Sequence, residues 1–377
     1  ALMQVFNKVD GATVCGVDET LAMLRLATGF WRDYEAMYPL FDRYIEVKQA
    51  RWKANSEHRW EDVIELTTES CDLQRRLEDL WCDTHSDLTI HALREGDVSR
   101  SFEAVVTIEG RASDFAHLES VYLGVLARGT KVATNTRKVV EAAAGKSVLF
   151  FADRFDRWQN QAADGYAALQ AGALGVATDA MGHWWGVSGL GTISHALIAL
   201  YRGDTVAATL AFAKQYPDVS AIALVDFDND CVATSLDVAR AFAEAGKELW
   251  GVRLDTAGTM VDKSVVPLMG DFNPSGVCAP LVEHVRSALD KEGFSHVKIV
   301  VSGGFNAERV RQFEREGVSV DAYGVGSALL GGNYDYTADI VMVEGEPMAK
   351  KGRQYRPGAG LTPFSWDEIE PPDAPPP

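Results

Sequence analysis

From about residue 100 onward, the chain alternates between two hydrophobic rhythms. Short apolar runs rich in Val, Ile and Leu end on Gly, Asp or Ser, and longer stretches between them carry apolar positions three and four apart. The runs at 102–110, 147–152, 175–179, 221–226, 249–255, 298–302 and 322–326 predict strands. The stretches at 115–126, 162–171, 236–245, 281–292 and 307–316 predict helices, and His195 opens a further one. Continuous apolar strands are buried on both faces, as in parallel sheets. So many βα units in succession predict an α/β barrel.

The first hundred residues follow another pattern. A strand and turn at 4–11 lead to a helix at 19–28. Residues 31–95 hold Trp31, Trp52, Trp60 and Trp81 among many charges, with Leu73, Leu77 and Leu80 at helical spacing. This stretch reads as two or three amphipathic helices whose aromatics are packing surface. After residue 333 come a strand at 338–344, a turn, and a Pro-rich tail that reads as disordered. The predicted organisation is an N-terminal α+β domain over 1–133, with a helical insertion at 31–95 and a completing C-terminal strand at 337–355. The barrel takes 134–336 and the tail 356–377.

Composition narrows the function classes. With 377 residues and 47% hydrophobic content, the chain can bury a barrel-sized core and a smaller one. A net charge of -18 without a Lys/Arg block argues against nucleic acid. Small anionic substrates stay open, because a few amides and arginines hold them. Five scattered cysteines without a CxxC pair read as free thiols in a reducing cytosol. No apolar run reaches the ~18 residues of a membrane span, so the chain reads as cytoplasmic, with no membrane partner.

Candidate chemistry gathers where the strands stop, which is the catalytic face of an α/β barrel. Asp226 ends one strand, followed by Asp228; Arg253 and Asp255 end the next. Ser302, Gly303 and Gly304 end another, and Gly324, Gly326 and Ser327 the last. The final two turns, each running into a helix, are a phosphate cradle in which amide N–H groups point at the anion. Asp226 and Asp255 can hold Mg²⁺ or hydrogen-bond a ribose, and Asp228 can equally cap a helix. Gly189 and Gly191 bring the backbone close ahead of His195, where a histidine can take up or hand on charge, or merely cap its helix. Arg137, Lys138, Arg154 and Arg157 supply cations, and an arginine fork suits a carboxylate. Lys350 and Lys351 read as solvated.

Taken in order, these motifs resemble the nicotinate phosphoribosyltransferase family, among the type II phosphoribosyltransferases with the quinolinate and nicotinamide enzymes. The resemblance covers roughly 100–353. It rests on Thr107-Ile-Glu-Gly110, Ala133-Thr134, the Phe-x-x-Arg of Phe151 and Arg154, Gly191-Thr-x-x-His-Ala196, Arg253-Leu-Asp255, Val301-Ser-Gly-Gly304 and Gly324-Val-Gly-Ser327. Thr136-Arg-Lys138 is closer to the quinolinate enzymes. The resemblance implies an irregular, TIM-like type II barrel. It implies an enzyme joining an aromatic acid, nicotinate first, to phosphoribosyl pyrophosphate, giving the mononucleotide for NAD biosynthesis. The 5′-phosphate would lie on Ser302, Gly303, Gly304, Gly324, Gly326 and Ser327. Asp226 and Asp255 would meet ribose, pyrophosphate or Mg²⁺. Arg137, Lys138, Arg154, Thr178 and Arg253 would bind substrate. His195 matches the histidine that many members phosphorylate from ATP. A homodimer with shared active sites is implied as well.

The chain also departs from the family pattern. The N-terminal motif Thr-Asp-x-Tyr-Phe-x-Arg-Thr falls on 13–20, where Gly16, Val17 and Glu19 replace Tyr, Phe and Arg. The family's Arg-Arg pair is Arg154-Phe155, and the four-cysteine zinc knuckle of some relatives is missing. Whether ATP hydrolysis is coupled stays open, as do two alternatives: a different heteroaromatic acceptor, or a catalytically silent sugar-phosphate-binding relative.

Overall fold

The computed structural model describes residues 1–270 and 272–368. The chain opens with β1 (Leu2–Asn7), β2 (Ala12–Thr13), α1 (Val17–Ala27) and β3 (Gly29–Trp31). Two long helices follow, α2 (Tyr34–Ser56) and α3 (Trp60–Glu78), and then β4 (Trp81–Asp83), β5 (Thr89–Ala92), β6 (Val98–Ser99) and β7 (Ala104–Glu109). The stretch 31–95, read as two or three amphipathic helices, holds α2 and α3 and a 3₁₀ turn at His85–Asp87. Beyond Leu80, burial alternates along β5, with Ile90 and Ala92 inward, and that strand pairs with β7.

A short α4 (Ala112–Phe115) and a 3₁₀ turn lead into α5 (Glu119–Ala142). The boundary expected after residue 133 falls inside α5. Its Tyr122 and Leu126 belong to one hydrophobic core, and its Val132, Ala133, Val139 and Ala142 to another. One continuous helix therefore joins the two cores.

The second core belongs to β8 (Ser147–Phe150), α6 (Gln161–Gln170), β9 (Gly175–Val176), α7 (Asp179–Gly182), α8 (His195–Leu200), α9 (Thr205–Gln215), β10 (Ile222–Leu224), α10 (Cys231–Glu244), β11 (Gly251–Leu254), α11 (Ala279–Lys291), β12 (Lys298–Val301), α12 (Ala307–Glu316) and β13 (Ala322–Val325). The helices begin and stop where their sequences dictate. Asp230 caps α10 by accepting from the Ala233 N–H at 3.2 Å, and Asn306 caps α12 by accepting from Arg309 at 2.9 Å. Gly317 ends α12 in the left-handed region at φ 67°. Asp228, weighed as a cap, is not the α10 cap; Asp230, two residues on, is.

The six strands pair in parallel in the order β10-β11-β12-β13-β8-β9. Residues 190–193 bridge the two edges: the Leu190 N–H donates to the Val176 carbonyl at 2.6 Å, and the Ile193 N–H to the Ile222 carbonyl at 3.4 Å. An irregular stretch thus closes the barrel where a regular strand would stand. It is the stretch that carries Gly191, Thr192 and His195 to the strand ends.

The chain then returns to the first sheet through β14 (Tyr336–Val343), β15 (Glu346–Pro347) and β16 (Thr362–Pro363). The order is β15-β14-β1-β7-β5-β16, with β14 antiparallel to β1. The tail expected to be disordered over 356–377 is ordered in its first part. Thr362 pairs with Ala92, and Trp366 packs edge-on against His85 at 5.0 Å. Residues 369–377 lie outside the described residues. Among the described residues no helix is long and apolar enough to cross a membrane, and the five cysteines are unbridged.

Candidate active site

The carboxyl ends of β10, β11 and β12 bring the central residues together. β10 and β11 run in register with Leu224 beside Arg253, so Asp226 and Asp255 emerge side by side. The Asp226 side chain is 8% exposed and pairs with His195 Nε2 at 2.9 Å, while the His195 side chain is 47% exposed. The carboxylate thus lies beneath the ring and orients it. Burial pushes the Asp226 carboxyl above its ordinary value; the neighbouring His195 lowers it and the charge of Asp255 raises it.

Arg253 occupies the middle of this group. Its guanidinium donates to Thr192 Oγ1, approaches Asp255 Oδ2 at 3.3 Å, and sits 5.5 Å from the centre of the Phe151 ring. Its Nε is buried and without a hydrogen-bond partner. A buried N–H left this way costs on the order of 1–3 kcal/mol, which a ligand oxygen would recover. Asp255 is held from its other side by Ser302 Oγ, which donates to Oδ1 at 2.6 Å.

Beyond Ser302 the backbone turns through Gly303 at φ 83° and Gly304 at φ 76°, a conformation that favours glycine at both positions. Arg309 Nη1 donates to the Gly303 carbonyl at 3.1 Å and stacks 4.4 Å over Phe305. That places a cation beside the turn. Only its position three residues after the Asn306 cap signals it in the sequence.

The last strand end is built differently from the expectation. A Cβ on Gly324 would come within 2.5 Å of the Phe151 ring, and one on Gly326 within 2.7 Å of the Phe155 ring. These glycines let the loop after β8 lie across β13. Ser327 opens a single 3₁₀ turn, Ser327–Leu330, and not the expected α-helix, so little helix dipole stands behind it. Arg154 is exposed and stacks on Phe155 at 5.6 Å, at the rim of the group.

Three expected substrate residues have partners within the fold. Thr178 caps α7 and donates to Gln161 Oε1 at 2.8 Å. Arg137 pairs with Glu141 of its own helix at 3.3 Å, and Lys138 donates to the Tyr334 hydroxyl at 3.1 Å. The last turns of α5 lead into the start of β8, which is the far end of that strand from Phe151. Among the described residues no group of three or more His, Cys, Asp or Glu side chains is arranged to hold a metal ion. Asp226 and Asp255 fit the weaker requirement of Mg²⁺, which takes one or two carboxylates and completes its shell with substrate oxygens and water.

A separate cavity of about 710 Å³ lies against α1, α5 and α6, with Gly16, Asp18, Glu19, Glu95, Tyr166 and Trp184 on its walls. Glu95 accepts from the Gly16 and Asp18 N–H groups, each at 3.0 Å. Burial drives its carboxyl up to about 7 and also raises that of Glu19. Nothing in the sequence singled out Glu95, one acid in a polar turn.

Parallel strands with aspartates and a glycine turn at their carboxyl ends define an α/β-barrel scaffold with a polar site at its strand ends. The chain belongs to the family described as quinolinate phosphoribosyl transferase, C-terminal domain, whose model matches residues 132–334. It is 28% identical over 279 residues to nicotinate phosphoribosyltransferase pncB1 of Mycobacterium tuberculosis (strain ATCC 25618 / H37Rv), covering 72% of this chain and 57% of that one. A nicotinate phosphoribosyltransferase of Bacillus subtilis (strain 168) is 23% identical over 242 residues, covering 64% and 45%. The chain thus spans about half the length of the curated relatives it matches. Among solved structures, nicotinate-nucleotide pyrophosphorylase from Pyrococcus furiosus superposes with a TM-score of 0.67 at 26% identity, covering 94% of this chain and 72% of that one. Human nicotinic acid phosphoribosyltransferase shares the fold, with a TM-score of 0.62 at 18% identity and coverage of 92% and 71%.

Proposed function

We propose that this chain is a phosphoribosyltransferase joining nicotinate to phosphoribosyl pyrophosphate in NAD biosynthesis. The observation that carries the reading is the connected group His195–Asp226 and Arg253–Asp255–Ser302 beside the left-handed turn at Gly303 and Gly304. The names of the relatives support the same chemistry.

In this reaction the pyridine nitrogen forms a bond to the anomeric carbon as the bond to pyrophosphate breaks, and positive charge develops on the ribose. Asp226 and Asp255 are anions suited to face that charge. The 302–304 turn and Arg309 receive the 5′-phosphate. Arg253 offers its unpartnered Nε to an anionic oxygen of the substrate, while Phe151 supplies an aromatic surface beneath it. Mg²⁺, held by Asp226, Asp255 and substrate oxygens, would neutralise the leaving pyrophosphate. Coupling to ATP would use His195, whose ring Asp226 orients through Nε2. A homodimer with shared sites belongs to the same reading.

A second acceptor class has a specific observation in its favour. Glu19 stands where the family resemblance expects an arginine, and Glu95 lies in the same cavity. An acidic wall suits a neutral or cationic heteroaromatic better than an acid. The test is product analysis by mass spectrometry with phosphoribosyl pyrophosphate, Mg²⁺ and nicotinate, quinolinate, nicotinamide or other heteroaromatics, with and without ATP. Nicotinate mononucleotide as the main product supports the first reading, and another nucleotide the second. Binding without turnover on any acceptor sinks both. ATP stimulation that vanishes in His195→Ala establishes coupling.

A further inference from the structure

Helices α2 and α3 form a hairpin apart from both cores. Among the described residues they pack chiefly on each other, and the two-stranded ribbon β3–β4 closes their base. Met37, Val47 and Ala54 of α2 are buried, facing Ser70, Leu73 and Leu77 of α3. Another face of α2 is apolar as well. Tyr34, Tyr38, Phe41, Ile45 and Trp52 recur at spacings of three, four and seven and form one stripe. Their exposures are 49%, 59%, 45%, 39% and 75%. Helical surfaces of this kind mark interaction sites.

The charges beside the stripe divide along the helix. Glu35 and Asp42 lie in its first half, and Lys48, Arg51 and Lys53 in its second; Glu46 is paired with Arg43, which also holds Glu69 of α3. One helix therefore carries both halves of a complementary pair, and an antiparallel copy of itself satisfies it. With its two-fold axis at Ile45, such a pairing sets Tyr38 against Trp52 and Asp42 against Lys48 of the other copy. The groove of about 430 Å³ lined by Lys48, Arg51, Trp52, Asn55, Val63 and Thr67 then faces the partner's tyrosine end. With large aromatics presenting roughly 150–250 Å² each, the stripe offers on the order of 500 Å² per copy. Two stripes together approach ~1,000 Å², which the stems of the flanking charged residues extend toward the ~1,200 Å² at which stable interfaces begin.

We propose that the α2 stripe docks on the same stripe of a second copy of this chain, the two hairpins forming an antiparallel four-helix bundle. This contact is distinct from any association through the barrels, and it does not depend on the acceptor used. The test places one cysteine at the two-fold axis. In the 377-residue chain with Cys71→Ser and Cys82→Ser, Ile45→Cys should form a disulfide-linked dimer under mild oxidation. Glu57→Cys should not, because twelve residues of helix from the axis put its two copies roughly 36 Å apart. Sedimentation equilibrium reads the charges: Asp42→Lys should weaken association at least tenfold, and Asp42→Lys with Lys48→Asp should restore it. Circular dichroism checks that each variant keeps its helices. The proposal is overturned if Ile45→Cys crosslinks no better than Glu57→Cys, or if the double variant associates no better than Asp42→Lys. A dimer held only by the barrels would give both of those results.

Discussion

The turn at Gly303 allows the phosphate-site reading to be separated from a purely structural one. Gly303 sits at φ 83°, where a residue with a side chain pays roughly 1–2 kcal/mol. A Cβ there would lie 3.4 Å from Asp255 Oδ1 and 3.4 Å from the Thr256 carbonyl. Alanine therefore fits with a shift of a few tenths of an ångström, while the γ-carbons of valine must displace the carboxylate that Ser302 and Arg253 hold. Gly303→Ala is expected to lower the melting temperature by roughly 2–6 °C. Gly303→Val is expected to weaken phosphoribosyl pyrophosphate binding at least tenfold, about 1.4 kcal/mol, in calorimetric titrations with Mg²⁺. Gly317→Ala is the matched control. It imposes the same strain at φ 67°, has nothing within 4 Å of its added Cβ, and stands at the far end of α12. It should lose comparable stability and keep full affinity. Unchanged affinity in folded Gly303→Val, or an equal loss in Gly317→Ala, would refute a phosphate site at this turn.

Three further outcomes are expected. Burial raises the Asp226 carboxyl, so its charge costs folding free energy once the pH exceeds its folded value. Asp226→Asn should then melt higher than wild type at pH 7, converge with it toward pH 4, and lose most of its turnover; a variant that melts lower at pH 7 contradicts this. Glu95, raised to about 7, contributes stability that is full below its ordinary value and is lost as the pH rises through 7, up to about 3 kcal/mol. Wild type should weaken between pH 5 and 8 in denaturant titrations, and Glu95→Gln should remove that slope. Glu19→Arg should raise kcat/KM for nicotinate relative to nicotinamide by about tenfold, the ~1.4 kcal/mol of one restored ion contact. An unchanged ratio would mean that this wall does not reach the acceptor.

The barrel was legible because its strands are buried on both faces. Lys298-Ile-Val-Val301 and Ala322-Tyr-Gly-Val325 read as strands on composition alone, and the helix expected at 307–316 is α12 to the residue. What escaped was nonlocal. The barrel's closure through 190–193 rests on two backbone hydrogen bonds that no periodicity encodes. Strand β16 is two residues in a Pro-rich stretch, ordered only because β5 offers it an edge. Helix α9 went unnoticed because its alanines and threonines carry little contrast between faces. At the site, Asp226, Asp255, Arg253 and Ser302 were visible as polar residues ending apolar runs. Thr178 gave the same signal, yet its hydroxyl caps a helix. Arg137 and Lys138 were legible only as a motif, and they lie within α5, where they pair with Glu141 and Tyr334.

The departures at 16–19 follow from how closely α1 meets α5. A Cβ on Gly129 would stand 2.6 Å from the Cys15 carbonyl, and one on Gly16 3.0 Å from the Val125 carbonyl. Gly16 is also held at φ 101°. A tyrosine at 16 would have to push the two helices apart. Val17 is fully buried, and a phenylalanine there would overpack the core at a cost of about 1–3 kcal/mol. The aromatic pair expected from the family pattern is therefore incompatible with this packing, and the cavity faced by Glu19 and Glu95 lies beside these positions. The strand ends and the glycine turn carry the residues of the proposed sugar-phosphate site, while the wall nearest the N-terminal motif offers space and carboxylates where the family pattern has aromatic surface and positive charge. The strand-end group and the cavity beside α1 are thus built from separate elements, so Glu19→Arg can alter the second without disturbing the first.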